Sequence, residues 1–267
     1  LTLIAILAGT LAAGIGSVWL AAALSFGALG RYTQHMLSLA AGALMATAFM
    51  HLLPEAFESQ AGAHDLFLTL LIGVVFFFLL DKAELWHHGH EHHHDDHSHG
   101  HGHGHAHGHG HSHGAPSGSG SWAVLTGDSV HCFGDGVLIA SAFMADMRLG
   151  AIASLAVLAH EVPHHMGDLM VLRAGSSNKR AALVKVTLAG AVTALGGLAG
   201  YWLVDQMQDY LPYFLVVASS SFIYVALADL IPQLQKRLTA RQTAAQIAWL
   251  AAGIVLVAVV SGLGHGH

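Results

Sequence analysis

His160-Glu161-Val162-Pro163-His164-His165-Met166-Gly167-Asp168 carries five ionisable side chains in nine residues. It lies inside Leu149–Leu172, a segment otherwise apolar enough to cross a bilayer. Ionisable groups at membrane depth are costly, and they mark ion pathways or catalytic centres. A companion stretch, His131-Cys132-Phe133-Gly134-Asp135-Gly136, lies in the preceding apolar segment.

The composition agrees with a membrane setting. The chain is 54% hydrophobic and 10% charged, against about 25% charged in a soluble domain. Crossing the hydrocarbon layer takes about 20 apolar residues. Eight segments qualify: Leu1–Ala23, Met36–Phe57, His64–Trp86, Trp122–Ala145, Leu149–Leu172, Ala181–Val204, Leu211–Leu234 and Thr243–Gly262. The first is read as a span rather than a cleaved leader. Trp19, Trp86, Trp122 and Trp202 fall near span ends, as an interfacial aromatic belt requires. The expected fold is all-α, a polytopic bundle of eight transmembrane helices. Its expected organisation is 1–86 with helices one to three, a disordered loop at 87–121, and 122–267 with helices four to eight.

Of the ten Lys and Arg, all but Arg148 fall on one side of the membrane under this count. The positive-inside rule then places both termini outside and the 87–121 loop in the cytoplasm. A bacterial inner membrane is the expected location.

Missing or adding one span would scramble this segregation, and the chain also carries an internal echo. Span two holds Ala48-Phe49-Met50-His51-Leu52-Leu53-Pro54-Glu55, and span seven holds Ala226-Leu227-Ala228-Asp229-Leu230-Ile231-Pro232-Gln233. Each places a polar residue three before a proline and another just after it. The first three spans start outside and the last three inside, which makes the repeat inverted, a 3+2+3 plan with spans four and five between the repeats.

At 1.5 Å rise per residue, His131 is about 13 Å and His160 about 16 Å into antiparallel spans, so both reach the midplane. His131 with Asp135, and His160 with His164, recur at i and i+4 and share a helix face. Imidazole and carboxylate donors suit zinc and similar divalent ions. Cys132 and Glu161 sit one residue further round and line an adjacent position. Pro163, Pro54 and Pro232 each free a carbonyl four residues earlier, which suits a polar pathway. Gly134, Gly136 and Gly167 are expected to let helices approach closely. Asp128 and Asp168 lie on the same two faces. The pathway toward the cytoplasm is expected to run past Glu161 and His165, with His51, Glu55, Asp168 and Asp229 as further polar stations.

Between His87 and His113 the chain is mostly His and Gly, with Glu91, Asp95 and Asp96 interspersed. Such a tract builds no core. Its imidazoles suit loose, multivalent metal buffering.

These residues resemble the ZIP (Zrt/Irt-like) divalent-metal transporters. His131-Cys132-x-x-Asp135-Gly136 is similar to the family's H-N-x-x-[DE]-G. His160-Glu161-x-Pro163-His164-His165-x-Gly167-Asp168 is similar to H-E-x-P-H-E-x-G-D, and Tyr224 to Gln233 resembles the seventh-span Y-V-A-L-A-D-x-x-P-E. The resemblance implies a first metal position from His131, Asp135, His160 and His164. It implies a second from Cys132, Asp135, Glu161 and His164, where Cys132 replaces Asn. His165 replaces a Glu, and span six supplies no carboxylate. It further implies inward movement of zinc, with cadmium, iron or manganese as other cargo, by an elevator-like displacement of helices. No cofactor and no enzymatic activity are expected. Expected partners are divalent cations and the bilayer, with no nucleic acid, and a homodimer fits the class. Two other readings use the same residues. His160-Glu161-x-x-His164 is also H-E-x-x-H, the zinc-protease motif, although Pro163 distorts its turn. His131-x-x-x-Asp135 also resembles a motif of cation-diffusion exporters, which have six spans and a soluble C-terminal domain. A metal sensor that transports nothing is a third alternative.

Overall fold

In lipid the backbone must satisfy its own hydrogen bonds, so apolar spans of this length become helices. The computed structural model describes residues 1–25, 33–89, 118–174, 179–234 and 238–263, and they form eight helical rods with no strand among the described residues. The first rod is α1 (Thr2–Leu11), a π turn (Ala12–Gly16) and α2 (Ser17–Ser25). The second is α3 (Thr33–Thr47), a π turn (Ala48–Leu52) and α4 (Leu53–Phe57). Single helices follow: α5 (Ala63–Gly89), α6 (Gly118–Ala145), α7 (Met147–Ala174), α8 (Lys179–Gln206), α9 (Leu211–Leu234) and α10 (Ala240–Leu263). The histidine tract falls mostly on 90–117, outside the described residues; α5 and α6 reach into the ends of the segment assigned to the loop.

Six rods are long and apolar enough to cross a membrane by composition alone. The other two, α6 and α7, are each 28 residues long and carry the polar stretches. Their ionisable side chains lower their hydropathy, and Asp128, Asp135, His160, Glu161 and His165 among them are buried. The two helices meet in a tight turn: Asp146 accepts from the backbone N–H groups of Arg148 and Leu149 at 2.9 and 3.0 Å, capping the start of α7. A capping box of Thr239 and Gln242 starts α10 in the same way.

Prolines act as read in one place and less in another. Pro54 has no N–H for the Met50 carbonyl, and the helix ahead of it widens into the π turn Ala48–Leu52. Pro163 lies inside α7, which continues as one helix through it.

The packing has an internal two-fold pattern. Gly42 of α3 meets α10 at Leu250, and Gly253 of α10 meets Leu39 and Ala43 of α3. On the other side Ser220 of α9 meets Gly73 of α5, and its hydroxyl donates to the Leu70 carbonyl at 3.2 Å. Gly42 and Ser220 each lie twelve residues before their helix's proline. Gly14 and Gly190 face each other where the first rod crosses α8. The same exchange relates α6, packed on α8, to α7, packed on the first rod. The contact pattern thus pairs the two central helices as well, which the sequence left between the repeats.

Only one of the three glycines expected at helix crossings is there. A Cβ on Gly136 would meet Thr193 and Gly197 of α8, whereas one on Gly134 or Gly167 would have nothing within 4 Å. Of those six rods the second is the most enclosed, with 61% of its apolar window buried, against 11% for α5 and for α10. Phe67, Leu71, Ile72, Phe76 and Leu79 of α5 face outward, as a lipid-facing helix requires.

Candidate metal centre

Because α6 and α7 are antiparallel neighbours, donors one turn apart on each interleave along a common axis. Midway along, His131 Nε2 and His160 Nε2 lie 3.1 Å apart. Two imidazole nitrogens that close repel unless a proton or a cation lies between them. Glu161 Oε1 is 3.4 Å from His131 and 3.3 Å from His160, and Asp135 Oδ2 is 3.9 and 3.5 Å from the same two nitrogens. Asp135, His160 and Glu161 are buried. Asp135 Oδ2 and both Glu161 oxygens make no hydrogen bond among the described residues. A zinc ion bound tetrahedrally at about 2.0–2.2 Å would set its ligand atoms about 3.3–3.6 Å apart. The observed spacings bracket that edge.

Further along the axis Asp128, Cys132, Glu161 and His165 form a second buried group, and Asp128, His164 and Asp168 a third. Glu161 belongs to the first two groups and Asp128 to the last two. His164 does not join the first group. Its side chain is 46% exposed, and its Nδ1 lies 3.6 Å from both Asp128 Oδ1 and Asp168 Oδ2. Its ring touches that of His131 at a centroid distance of 5.5 Å. The two histidines of H-E-x-x-H thus face different groups, so they do not form the single two-histidine centre that a zinc protease needs.

His51 and Glu55 lie at the opposite end from Asp168. With Glu58, Asp146, Arg148 and Ser261 they line a cleft of about 350 Å³ beside the α6–α7 turn. His51 and Glu55 thus lie at the α6–α7 turn, and Asp168 lies on the other side of the central groups, toward the far end of α7. Asp229 lies on α9, but its side chain is outside the described residues.

Asp128 and His165, read from the sequence as polar residues beside the ligands, here join a donor group with Cys132 and Glu161, and Ser17 is added to them. Asp128 sits four before Cys132, and His165 sits four after Glu161. The i,i+4 rule that paired His131 with Asp135 finds both when applied to the neighbouring face. Ser17, whose hydroxyl lies 3.0 Å from His165 Nδ1, comes from the first rod and leaves no local signal.

A sequence profile described as ZIP Zinc transporter matches residues 82–261. The chain belongs to the ZIP zinc transporter family. It is 41% identical over 112 residues to "Zinc transporter ZIP4" of Mus musculus, covering 42% of this chain and 17% of that protein. It is 37% identical over 115 residues to "Zinc transporter foi" of Drosophila melanogaster, covering 43% of this chain and 16% of that protein. "Zinc transporter ZIP13" of Pongo abelii matches over 249 residues at 27% identity, covering 86% of this chain and 67% of that protein. The chain thus spans about a sixth of the length of ZIP4 and foi. This ZIP chain is a multi-pass helical membrane protein with groups of His, Asp, Glu and Cys whose geometry could hold a metal ion.

Proposed function

We propose that this ZIP chain moves zinc across the membrane into the cytoplasm through the groups between α6 and α7. The observation that carries the reading is the convergence of His131 Nε2, His160 Nε2, Asp135 Oδ2 and Glu161 Oε1, all within 4.8 Å of one another inside membrane-spanning helices. Burying two carboxylates beside two imidazoles without an ion to neutralise them is unfavourable. A divalent cation removes that cost while it is bound and restores it on leaving, which suits transient occupancy by cargo.

Zinc enters by the cleft of His51, Glu55, Glu58 and Asp146, sheds water, and is held by His131, Asp135, His160 and Glu161. It leaves past Asp128, His164 and Asp168. The three groups share Glu161 and Asp128, so an ion can exchange one ligand at a time without crossing bare hydrocarbon. The termini lie outside, and the histidine tract after α5 collects the released ion in the cytoplasm. Cadmium, iron and manganese are further candidate cargo.

The test is zinc flux into proteoliposomes holding the purified chain, compared with Asp135→Ala and His160→Ala. Flux well above empty liposomes, lost in both variants, supports the reading. No flux in the wild-type chain under any zinc gradient sinks it.

A further inference from the structure

Of the ten Lys and Arg, Arg148 alone falls on the far side of the membrane under the eight-span count. Its place in the fold is specific. It is the second residue of α7, directly after the α6–α7 turn. There it lines the cleft of about 350 Å³ together with His51, Glu55, Glu58, Asp146 and Ser261.

Two contacts hold Arg148 in place. Its backbone N–H donates to Asp146 Oδ1 at 2.9 Å, and the same oxygen accepts from Leu149 N–H at 3.0 Å. The Asp146 carboxylate therefore serves the first turn of α7. At the other end of the side chain, guanidinium Nη2 donates to Ser261 Oγ at 3.3 Å, in the last turn of α10. The side chain thus crosses from the start of α7 to the end of α10 along one wall of the cleft. Glu55 and Glu58 line the same cleft from α4 and its C-terminal end. A guanidinium stays charged at every pH a protein meets. It opposes an approaching cation in proportion to the charge of that ion, and the glutamates attract the ion by the same law.

We infer that Arg148 is a specificity-determining residue of the entry cleft, whose fixed positive charge limits how readily a divalent cation is captured there. It thereby sets the concentration at which transport half-saturates. The inference rests on the transporter reading, with this cleft as the entrance. Arg148 acts before the ion reaches the groups between α6 and α7. Its charge therefore governs KM and leaves the maximal rate alone. A unit charge and a divalent ion about 8 Å apart in water, roughly the width of such a cleft, interact strongly enough to change capture about fivefold. Salt screens an interaction of this kind.

The test is the initial rate of zinc flux into proteoliposomes holding the full chain, followed against free zinc at low and at high potassium chloride. At low salt Arg148→Gln lowers KM by about threefold to tenfold with the maximal rate unchanged, and Glu58→Gln raises KM. Arg148→Lys keeps the charge and keeps the wild-type KM. At about 1 M salt, where the Debye length is about 3 Å, the gain in Arg148→Gln disappears. A side chain that only ties α7 to α10 behaves differently, because it depends on the Ser261 contact and not on charge. An unchanged KM in Arg148→Gln at low salt, a lowered maximal rate in that variant, or an equal shift in Ser261→Ala, which keeps the charge, overturns the inference. Wild-type flux with any of those three results leaves transport standing and this role refuted. No flux in any of the chains refutes transport and this role together.

Discussion

Glu161 Oε2 lies 3.1 Å from His165 Nε2, one helical turn on along α7. The other oxygen of the same carboxylate, Oε1, lies 3.4 Å from His131 Nε2 across on α6. One side chain thus joins two groups of donors. Losing outer partners of a metal ligand typically costs 10–100-fold in affinity, and losing a ligand of both groups should cost at least as much. Glu161→Gln keeps the shape and removes the charge. It should lower zinc flux in proteoliposomes by at least about tenfold. Retention of wild-type flux would remove Glu161 from the centre.

His160 and His164 should behave unequally although they occupy matched places in the motif. His160 is 3% exposed and meets His131, Asp135 and Glu161. His164 is half exposed and meets Asp128 and Asp168. His160→Ala should abolish flux, whereas His164→Ala should slow it and leave a measurable remainder. Equal loss in the two would return His164 to the first position that the family motif implies.

The glycines divide sharply by neighbourhood. Gly136→Ala and Gly253→Ala each push a methyl into the backbone of a facing helix. Overpacking of this kind costs about 1–3 kcal/mol, which thermal aggregation in detergent would read as a lower midpoint. Gly134→Ala and Gly167→Ala face open space and should leave that midpoint in place. A midpoint lowered as far by Gly134→Ala as by Gly136→Ala would contradict the packing of α6 on α8.

Acidity should slow uptake. The forms that bind an ion are the neutral imidazole and the ionised carboxylate, and protons compete for both. Falling pH on the entry side therefore removes ligands, and initial zinc flux should fall as that side is acidified. A rise in flux on acidification, with the gradient of zinc held fixed, would contradict the ligand chemistry.

The histidine tract has a separate role in this account. Deleting His87–His113 should leave basal flux largely intact, because every group between α6 and α7 lies outside the deleted residues. It should reduce the zinc retained by the purified chain at equilibrium. Complete loss of flux in the deleted chain, with α5 and α6 still folded, would refute a buffering role.

The sequence by itself determined the number of helices, their limits to within a few residues, and the place of the polar stretches along α6 and α7. The physical reason is local: an apolar run of about 20 residues in lipid has no alternative to a helix. It also determined which residues share a face, so His131 and Asp135 were readable as a pair. Only the tertiary structure decided how the donors divide among three groups. Residues three apart on a helix differ by about 60° in direction, so a modest rotation of α7 decides whether the Glu161 carboxylate or a His164 nitrogen meets His131 Nε2. That rotation is set by packing against α3 and the first rod, through contacts far apart in sequence. The same holds for Ser17, brought to His165 from 148 residues away, and for His51 and Glu55, whose position at the far end from Asp168 follows from how α4 lies beside the α6–α7 turn.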